Sequence, residues 1–247
     1  MSAVKCDGKD VLAAATEVGV QRWDSSSGTL LQDTEELSPG TIWGLDAYTA
    51  GDGRTLLVGA GNDHLVYRWD AVTGARAGVP LAGHRSSVKC VASGSVPGRG
   101  ALIASGSDDG TIRRWDAATG ELIGVSDMVN ADILDIDLLA SQAGISILTG
   151  GDSDGVLHRW DAATGQPLGT PIETGEMVGS LVSVDIAGEP RIIASSESGL
   201  VRQWHAVTGL LVDESPVGMS VAVMAGADGR VLLATGTDDG DISLRAV

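Results

Sequence analysis

Apolar and polar positions along this chain alternate with period two, in short runs broken by turn residues, and this is the pattern of half-buried β-strands. It is clearest between Leu81 and Gly124. There Ser87–Ala92, Ala101–Ser105, Thr111–Asp116 and Glu121–Val125 read as strands, while Asp108-Asp109-Gly110 and Thr119-Gly120 carry turn chemistry. Four such runs in succession predict one four-stranded antiparallel sheet, its strands a to d in chain order.

The rest of the chain consists of variants of this stretch. Its segment DDGTIRRWDAATG recurs as VGVQRWDSSSG, NDHLVYRWDAVTG, SDGVLHRWDAATG and SGLVRQWHAVTG, and a decayed copy, DDGDISLRAV, stands last. Successive tryptophans, from Trp23 to Trp204, are 46, 46, 45 and 44 residues apart, and Arg245 occupies the sixth position 41 residues further on. A period in the forties with a Trp-Asp end marks propeller repeats. These residues resemble the WD-repeat β-propeller family over essentially all 247 residues. The resemblance implies an all-β, six-bladed propeller in one domain, with blades at about 1–36, 37–82, 83–127, 128–173, 174–215 and 216–247. In the third repeat His84, Ser105, Asp109 and Trp115 match the family's structural hydrogen-bond network. The fourth repeat keeps Thr149, Asp154 and Trp160, and the sixth keeps Thr235 and Asp239.

Two features concern the ends of the repeat series. Ala3–Cys6 carries Val-Lys-Cys, as do Val88–Cys90 of the third repeat, so it is predicted as strand a of the first blade rather than as the outer strand of the last. The last blade then has three strands. Its edge, 241–247, contains Ile242 and Leu244 and no proline, which makes it a candidate for pairing with a second copy or with a partner's strand.

The residue before each Trp is Arg22, Arg68, Arg114, Arg159 or Gln203, where the family mostly has an aliphatic side chain, and the chain contains no Phe. Long arginine stems can occupy the volume between blades, with Asp46, Asp137 and Asp185 as candidate ion-pair partners; the alternative is a guanidinium that reaches solvent at the blade edge.

Charge narrows the partners. With 33 Asp and Glu against 16 Lys and Arg the net charge is -17, so no basic field is available for nucleic acid or an anionic membrane, and a neutral or basic protein or peptide fits better. No apolar run approaches 18 residues, so the expectation is a soluble, cytoplasmic protein. Cys6 and Cys90, two blades apart, are expected to be reduced. No catalytic motif, metal-ligand spacing or cofactor motif is present in the sequence.

The family resemblance places partner contacts beside the first β-branched residue of strand a. Those positions are Thr41 and Trp43, Ser87 and Lys89, Asp132 and Leu134, Met177 and Gly179, with Lys5 and Met219 aligned less closely; Asn62, Asp108, Ser153 and Asp238 add the b–c turns. Trp43 is the one tryptophan outside strand c, either packed in the core or exposed as a ligand anchor. The leading expectation is a non-catalytic binding platform. A small-molecule binder or cofactor-free enzyme is the alternative, with Trp43 as a wall and Asp132, Asp135 or Asp46 as acid or base.

Overall fold

The computed structural model describes residues 2–6, 9–17, 19–31, 41–140, 144, 146–215, 218–225, 231–237 and 239–246; for 2–6, 9–10 and 225 only the backbone is described. Each apolar-polar run becomes a strand, and consecutive strands pair antiparallel into six sheets in chain order. Sheet one is β1 (Ser2–Cys6), β2 (Lys9–Thr16) and β3 (Gly19–Asp24). Sheet two is β4 (Ile42–Thr49), β5 (Thr55–Gly61), β6 (Leu65–Asp70) and β7 (Leu81–Ala82). Sheet three is β8 (Val88–Val96), β9 (Gly100–Ser107), β10 (Ile112–Asp116) and β11 (Leu122–Val125). Sheet four is β12 (Ile133–Ala140), β13 (Ser146–Asp152), β14 (Val156–Asp161) and β15 (Ile172–Glu173). Sheet five is β16 (Val178–Ile186), β17 (Glu189–Ser196), β18 (Val201–His205) and β19 (Leu211–Ser215). Sheet six is β20 (Ser220–Ala225), β21 (Val231–Gly236) and β22 (Ile242–Ala246).

β1 pairs with β2 from Ser2 opposite Ala13 to Cys6 opposite Lys9, so the first segment is strand a of sheet one, as its Val-Lys-Cys predicts. Sheet six is three-stranded, also as expected. By packing the chain divides into two compact units, Met1–Ile133 and Leu134–Val247.

In the first unit Val11, Ala13, Val20, Ile42, Leu57, Tyr67 and Trp69 form one apolar layer, and Tyr48, Leu56, Val58, Val88, Ile103 and Trp115 form another. In the second unit Ile147, Leu157, Val178, Leu181, Ile192 and Trp204 form a layer, and Ile193, Val201, Val221 and Leu233 a smaller one. Without Phe, the large side chains of these layers are Trp and Tyr, with long aliphatics between them. Cys90 is a buried free thiol; the side chain of Cys6 lies outside the described residues.

The turn after each tryptophan is set by local chemistry. In sheet three Asp116 Oδ1 accepts the N–H groups of Ala118 (3.0 Å) and Thr119 (2.8 Å) and the Thr119 hydroxyl (3.1 Å), while Gly120 N–H donates to the Asp116 carbonyl at 2.8 Å. Gly120 has φ +79°, a conformation in which any Cβ would be strained, and so the Thr-Gly pair recurs. Asp24, Asp70 and Asp161 build the same turn. In sheet five His205 replaces the aspartate, and its Nδ1 accepts from Val207 N–H (3.3 Å) and Thr208 N–H (3.2 Å).

The arginines before the tryptophans are buried, with Arg22 1%, Arg68 6% and Arg159 5% exposed. For Arg68 and Arg159 the partners are backbone carbonyls rather than the expected carboxylates. Arg22 Nη1 donates to the carbonyls of Ala71 (2.9 Å) and Val72 (2.7 Å), Arg68 Nη1 to Ala117 (2.9 Å), and Arg159 Nη1 to Ala206 (3.1 Å) and Val207 (3.0 Å). Each of these guanidinium groups therefore caps the turn after the next sheet's tryptophan, whether that turn is built by an aspartate or, for Arg159, by His205. The turn glycines leave room for it: a Cβ on Gly120 would lie 2.9 Å from Arg68 Nη2, and one on Gly209 2.8 Å from Arg159 Nη2.

The aspartates assigned to these arginines from sequence serve another purpose: they lie on strand a, and strand b separates them from the arginines on strand c. Asp46 accepts from Ser93 N–H (2.6 Å) and the Ser93 hydroxyl (2.7 Å), Asp137 from Ser183 N–H, and Asp185 from Gly188 N–H (2.7 Å) in its own turn. Arg68→Met retains the stem but removes the charged one of the two donors to the buried Ala117 carbonyl, leaving only the Tyr48 hydroxyl at 3.1 Å. It is expected to cost roughly 1–3 kcal/mol in urea unfolding. Unchanged stability would show that the cap contributes nothing net.

Candidate functional site

Sheet three contains a continuous chain of polar contacts. Trp115 Nε1–H donates to Ser105 Oγ (2.9 Å), Ser105 Oγ lies 2.8 Å from His84 Nε2, and His84 Nδ1 lies 3.0 Å from Asp109 Oδ2. One proton arrangement satisfies all three: Ser105 donates to Nε2, and neutral His84 donates from Nδ1 to the carboxylate. Burial pushes the His84 pKa down, which favours that neutral form. Burial alone would raise Asp109. Hydrogen bonds from the Thr111 hydroxyl, Arg85 N–H and His84 outweigh it and hold the carboxyl at about 2.

Among the described residues the other sheets show no such chain. In sheet four Asp152, not Asp154, organises the b–c turn: its Oδ1 accepts Asp154 N–H (3.1 Å) and Val156 N–H (2.8 Å), and its Oδ2 meets His158 Nε2 at 2.9 Å. Thr149 Oγ1 is buried with no hydrogen-bond partner among the described residues. In sheet six the Thr235 hydroxyl pairs with Ser243 Oγ (2.7 Å), and Asp239 is exposed. No network forms there because the histidine that would span serine and aspartate occurs only in sheet three.

Strand a of sheets two and three holds the most distinctive exposed constellation. The register of β4 against β5 shifts between Ile42 and Gly44, and that of β8 against β9 shifts between Val88 and Cys90. The bulged residues are Trp43 and Lys89. A bulge breaks the inward-outward alternation and re-aims a side chain, and Trp43 is accordingly 54% exposed although it sits next to buried Ile42. Gly44 lets the two strands approach closely, since a Cβ there would meet Cys90 Cα at 2.8 Å. As a result the Lys89 ammonium lies 4.9 Å from the centroid of the Trp43 ring, and the same Nζ is 3.3 Å from Asp108 Oδ2. Indole, ammonium and carboxylate thus form one cluster.

Thr41 and Ser87 flank it through the backbone: Asn62 N–H donates to the Thr41 carbonyl (3.2 Å) and Asp108 N–H to the Ser87 carbonyl (3.0 Å). Asp132 is exposed. The side chain of Lys5 and residue Asp238 lie outside the described residues.

In the second unit β16 has the same bulge, between Val178 and Ser180, but the bulged residue is Gly179 and presents no side chain. Leu134 and Met177 are half-buried. Met177 borders a shallow hollow of about 340 Å³ with Glu176, Glu197 and Ser198. Asp135 accepts Leu181 N–H (2.8 Å) and Ile136 N–H (3.0 Å); burial, with Asp137 nearby, raises its pKa to about 7 against those hydrogen bonds. Among the described residues no group of three or more His, Cys, Asp or Glu could hold a metal ion, and no helix is long and apolar enough to cross a membrane.

The turn positions and exposed aspartates are visible in the sequence, but the Trp43–Lys89 contact is not. The signal that points to it is Gly44, a residue without a side chain immediately after Trp43, which admits the neighbouring strand.

Six antiparallel sheets meandering in chain order, each built from the same repeated strand and turn pattern, define the β-propeller fold. Solved structures agree: the chain is similar to the computationally designed Ika8 protein (TM-score 0.70, 22% identity, 99% of this chain and 70% of that one). It is also similar to a chain of the mitotic checkpoint complex (TM-score 0.75, 20% identity, 95% of this chain and 70% of that one). Residues 78–116 match the family model of the WD domain, G-beta repeat. No curated protein matches it.

Proposed function

We propose that this propeller is a non-catalytic binding module that engages a neutral or basic peptide or protein through the cluster of Trp43, Lys89 and Asp108. The observation that carries this reading is an exposed indole held by an ammonium at 4.9 Å, itself paired to a carboxylate. An aromatic anchor with a rigid scaffold behind it is the usual energetic centre of a protein interface. WD-repeat propellers commonly bind proteins. A net charge of -17 favours a partner that is not acidic and disfavours nucleic acid and anionic membranes.

Panning a displayed peptide library against the intact chain and against Trp43→Ala tests this. The variant is expected to lose at least about tenfold in affinity, the loss of a hot-spot side chain, at an unchanged melting temperature because Trp43 is exposed. Equal binding by both proteins would refute the reading.

Asp135 supports the alternative of acid-base chemistry, since a carboxyl titrating at about 7 can exchange a proton at neutral pH. Its hydrogen bonds to Leu181 and Ile136 favour a structural role instead.

We also propose self-association through the edge strand at 241–247. β22 is the outer strand of sheet six, with Ile242 76% and Leu244 59% exposed.

A further inference from the structure

Among the described residues, β22 is the least protected of the outer strands. β3 is partly covered by the bridge from Trp23 to Leu30, β7 and β15 have two residues each, β11 contains Gly124, and β19 is blunted by the charged side chains of Asp213 and Glu214, ion-paired to Arg245 and Arg202. β22 spans five residues, Ile242–Ala246, and exposes Ile242 and Leu244 on one face. On the other face Arg245 reaches Asp213 at 3.3 Å while remaining 40% exposed.

Backbone geometry restricts how two such edges can meet. In an antiparallel ladder opposed residues exchange hydrogen bonds in the same sense, and that sense alternates along a strand. Two identical edges can therefore oppose only residues of equal parity, so the symmetry axis must pass through a residue. Centred on Ile242, Asp241 would face Ser243 and Leu244 would face Gly240. Centred on Leu244, Ile242 would face Ala246 and Ser243 would face Arg245; centred on Arg245, two guanidinium groups would be opposed. Centred on Ser243, Asp241 faces the second copy's Arg245, Ile242 faces the second copy's Leu244, and symmetry repeats both pairs.

Resting on the self-association reading above, we infer that β22 is a homodimerisation strand that pairs antiparallel with a second copy of this chain in the register centred on Ser243, matching Asp241 to Arg245 and Ile242 to Leu244. Opposite charges and apolar pairs placed directly across a ladder each stabilise it, whereas like charges destabilise it. The interface is isologous, so it closes at two chains. It is smaller than a standard stable interface, and the dimer is expected to form at micromolar concentrations.

Sedimentation velocity over a concentration series, on the full chain and on Asp241→Arg and Arg245→Asp, tests the register. Wild type is expected to dimerise. Each variant alone opposes like charges twice and should weaken its own dimer at least about tenfold. Mixed one to one, the two variants again oppose a guanidinium to a carboxylate at both ends of the ladder, since one chain is basic and the other acidic at both positions. Dimerisation should then return; unfolded variants could not restore it. Ile242→Pro in both variants should abolish the restored dimer.

A wild type that stays monomeric at every concentration overturns self-association altogether. A wild-type dimer whose single variants associate equally well, or whose mixture fails to recover, overturns the register and leaves association to another surface.

Discussion

His84→Ala is expected to lower the unfolding free energy by roughly 1–3 kcal/mol, because the Ser105 hydroxyl and the Asp109 carboxylate would each lose a partner inside a buried chain. Asp109→Ala should cost more. Its carboxylate accepts from His84, Arg85 N–H, Thr111 N–H and the Thr111 hydroxyl, and so ties the b–c turn to the strand as well as to the network. The double variant should cost less than the sum of the two, since both break the same contact. Urea unfolding of the four proteins checks this, and strict additivity would show that His84 and Asp109 act independently.

The same pair has a defined response to pH. Asp109 is held at about 2, below its unfolded value of 3.8, so its contribution is present above about pH 4 and is lost as the pH falls towards 2. His84 is depressed below 6.5, so its contribution is complete above that value and declines as the unfolded chain takes up a proton that the folded chain refuses. Both effects act in one direction: acid weakens sheet three.

Asp135→Asn is expected to have the opposite effect and to stabilise the protein at pH 8. The folded pKa of Asp135 is raised from 3.8 to about 7, so the penalty is absent below about pH 4, grows as the unfolded chain ionises, and is constant above about pH 7. About three pKa units at about 1.4 kcal/mol each set a ceiling of about 4 kcal/mol for the gain. The realised gain will be smaller, because an amide offers one acceptor where the carboxyl offers two to Leu181 and Ile136. Unfolding midpoints at pH 4 and pH 8 should cross between wild type and variant, and a difference that does not vary with pH would show that this carboxyl is not held protonated by the fold.

Much of the architecture is legible in the sequence because turn chemistry and alternation are local. Asp116 and Gly120 determine their turn within five residues, and the repeated Val-Lys-Cys places β1 before the sheet it begins. Burial of Arg68 and Arg159 is legible too, from their place in the strand alternation. Their partners are not, because a carbonyl has no sequence signature. The nearest sequence signal is the small residue two positions after each tryptophan, Ala71, Ala117 and Ala206, all buried beneath a neighbouring arginine. The Trp43 cluster depends on a bulge, which changes register by one residue and so defeats alternation at the position where the side chain matters. The repeat pattern points to Asp154 in sheet four, yet Asp152, two residues earlier, takes the role because it reaches His158 on the next strand.

The arginine cap also bears on how such a chain can change its number of repeats. Two junctions are written in two halves, an arginine before one tryptophan and a turn glycine five residues after the next: Arg68 with Gly120, and Arg159 with Gly209. A repeat that carries both halves matches whatever repeat precedes or follows it. Duplication or excision of one such unit by unequal recombination therefore creates no mismatched seam, and repeat number can drift while joints of this kind stay filled. Gln203, which turns to Asp213 of its own sheet at 3.5 Å, marks where that interchangeability stops.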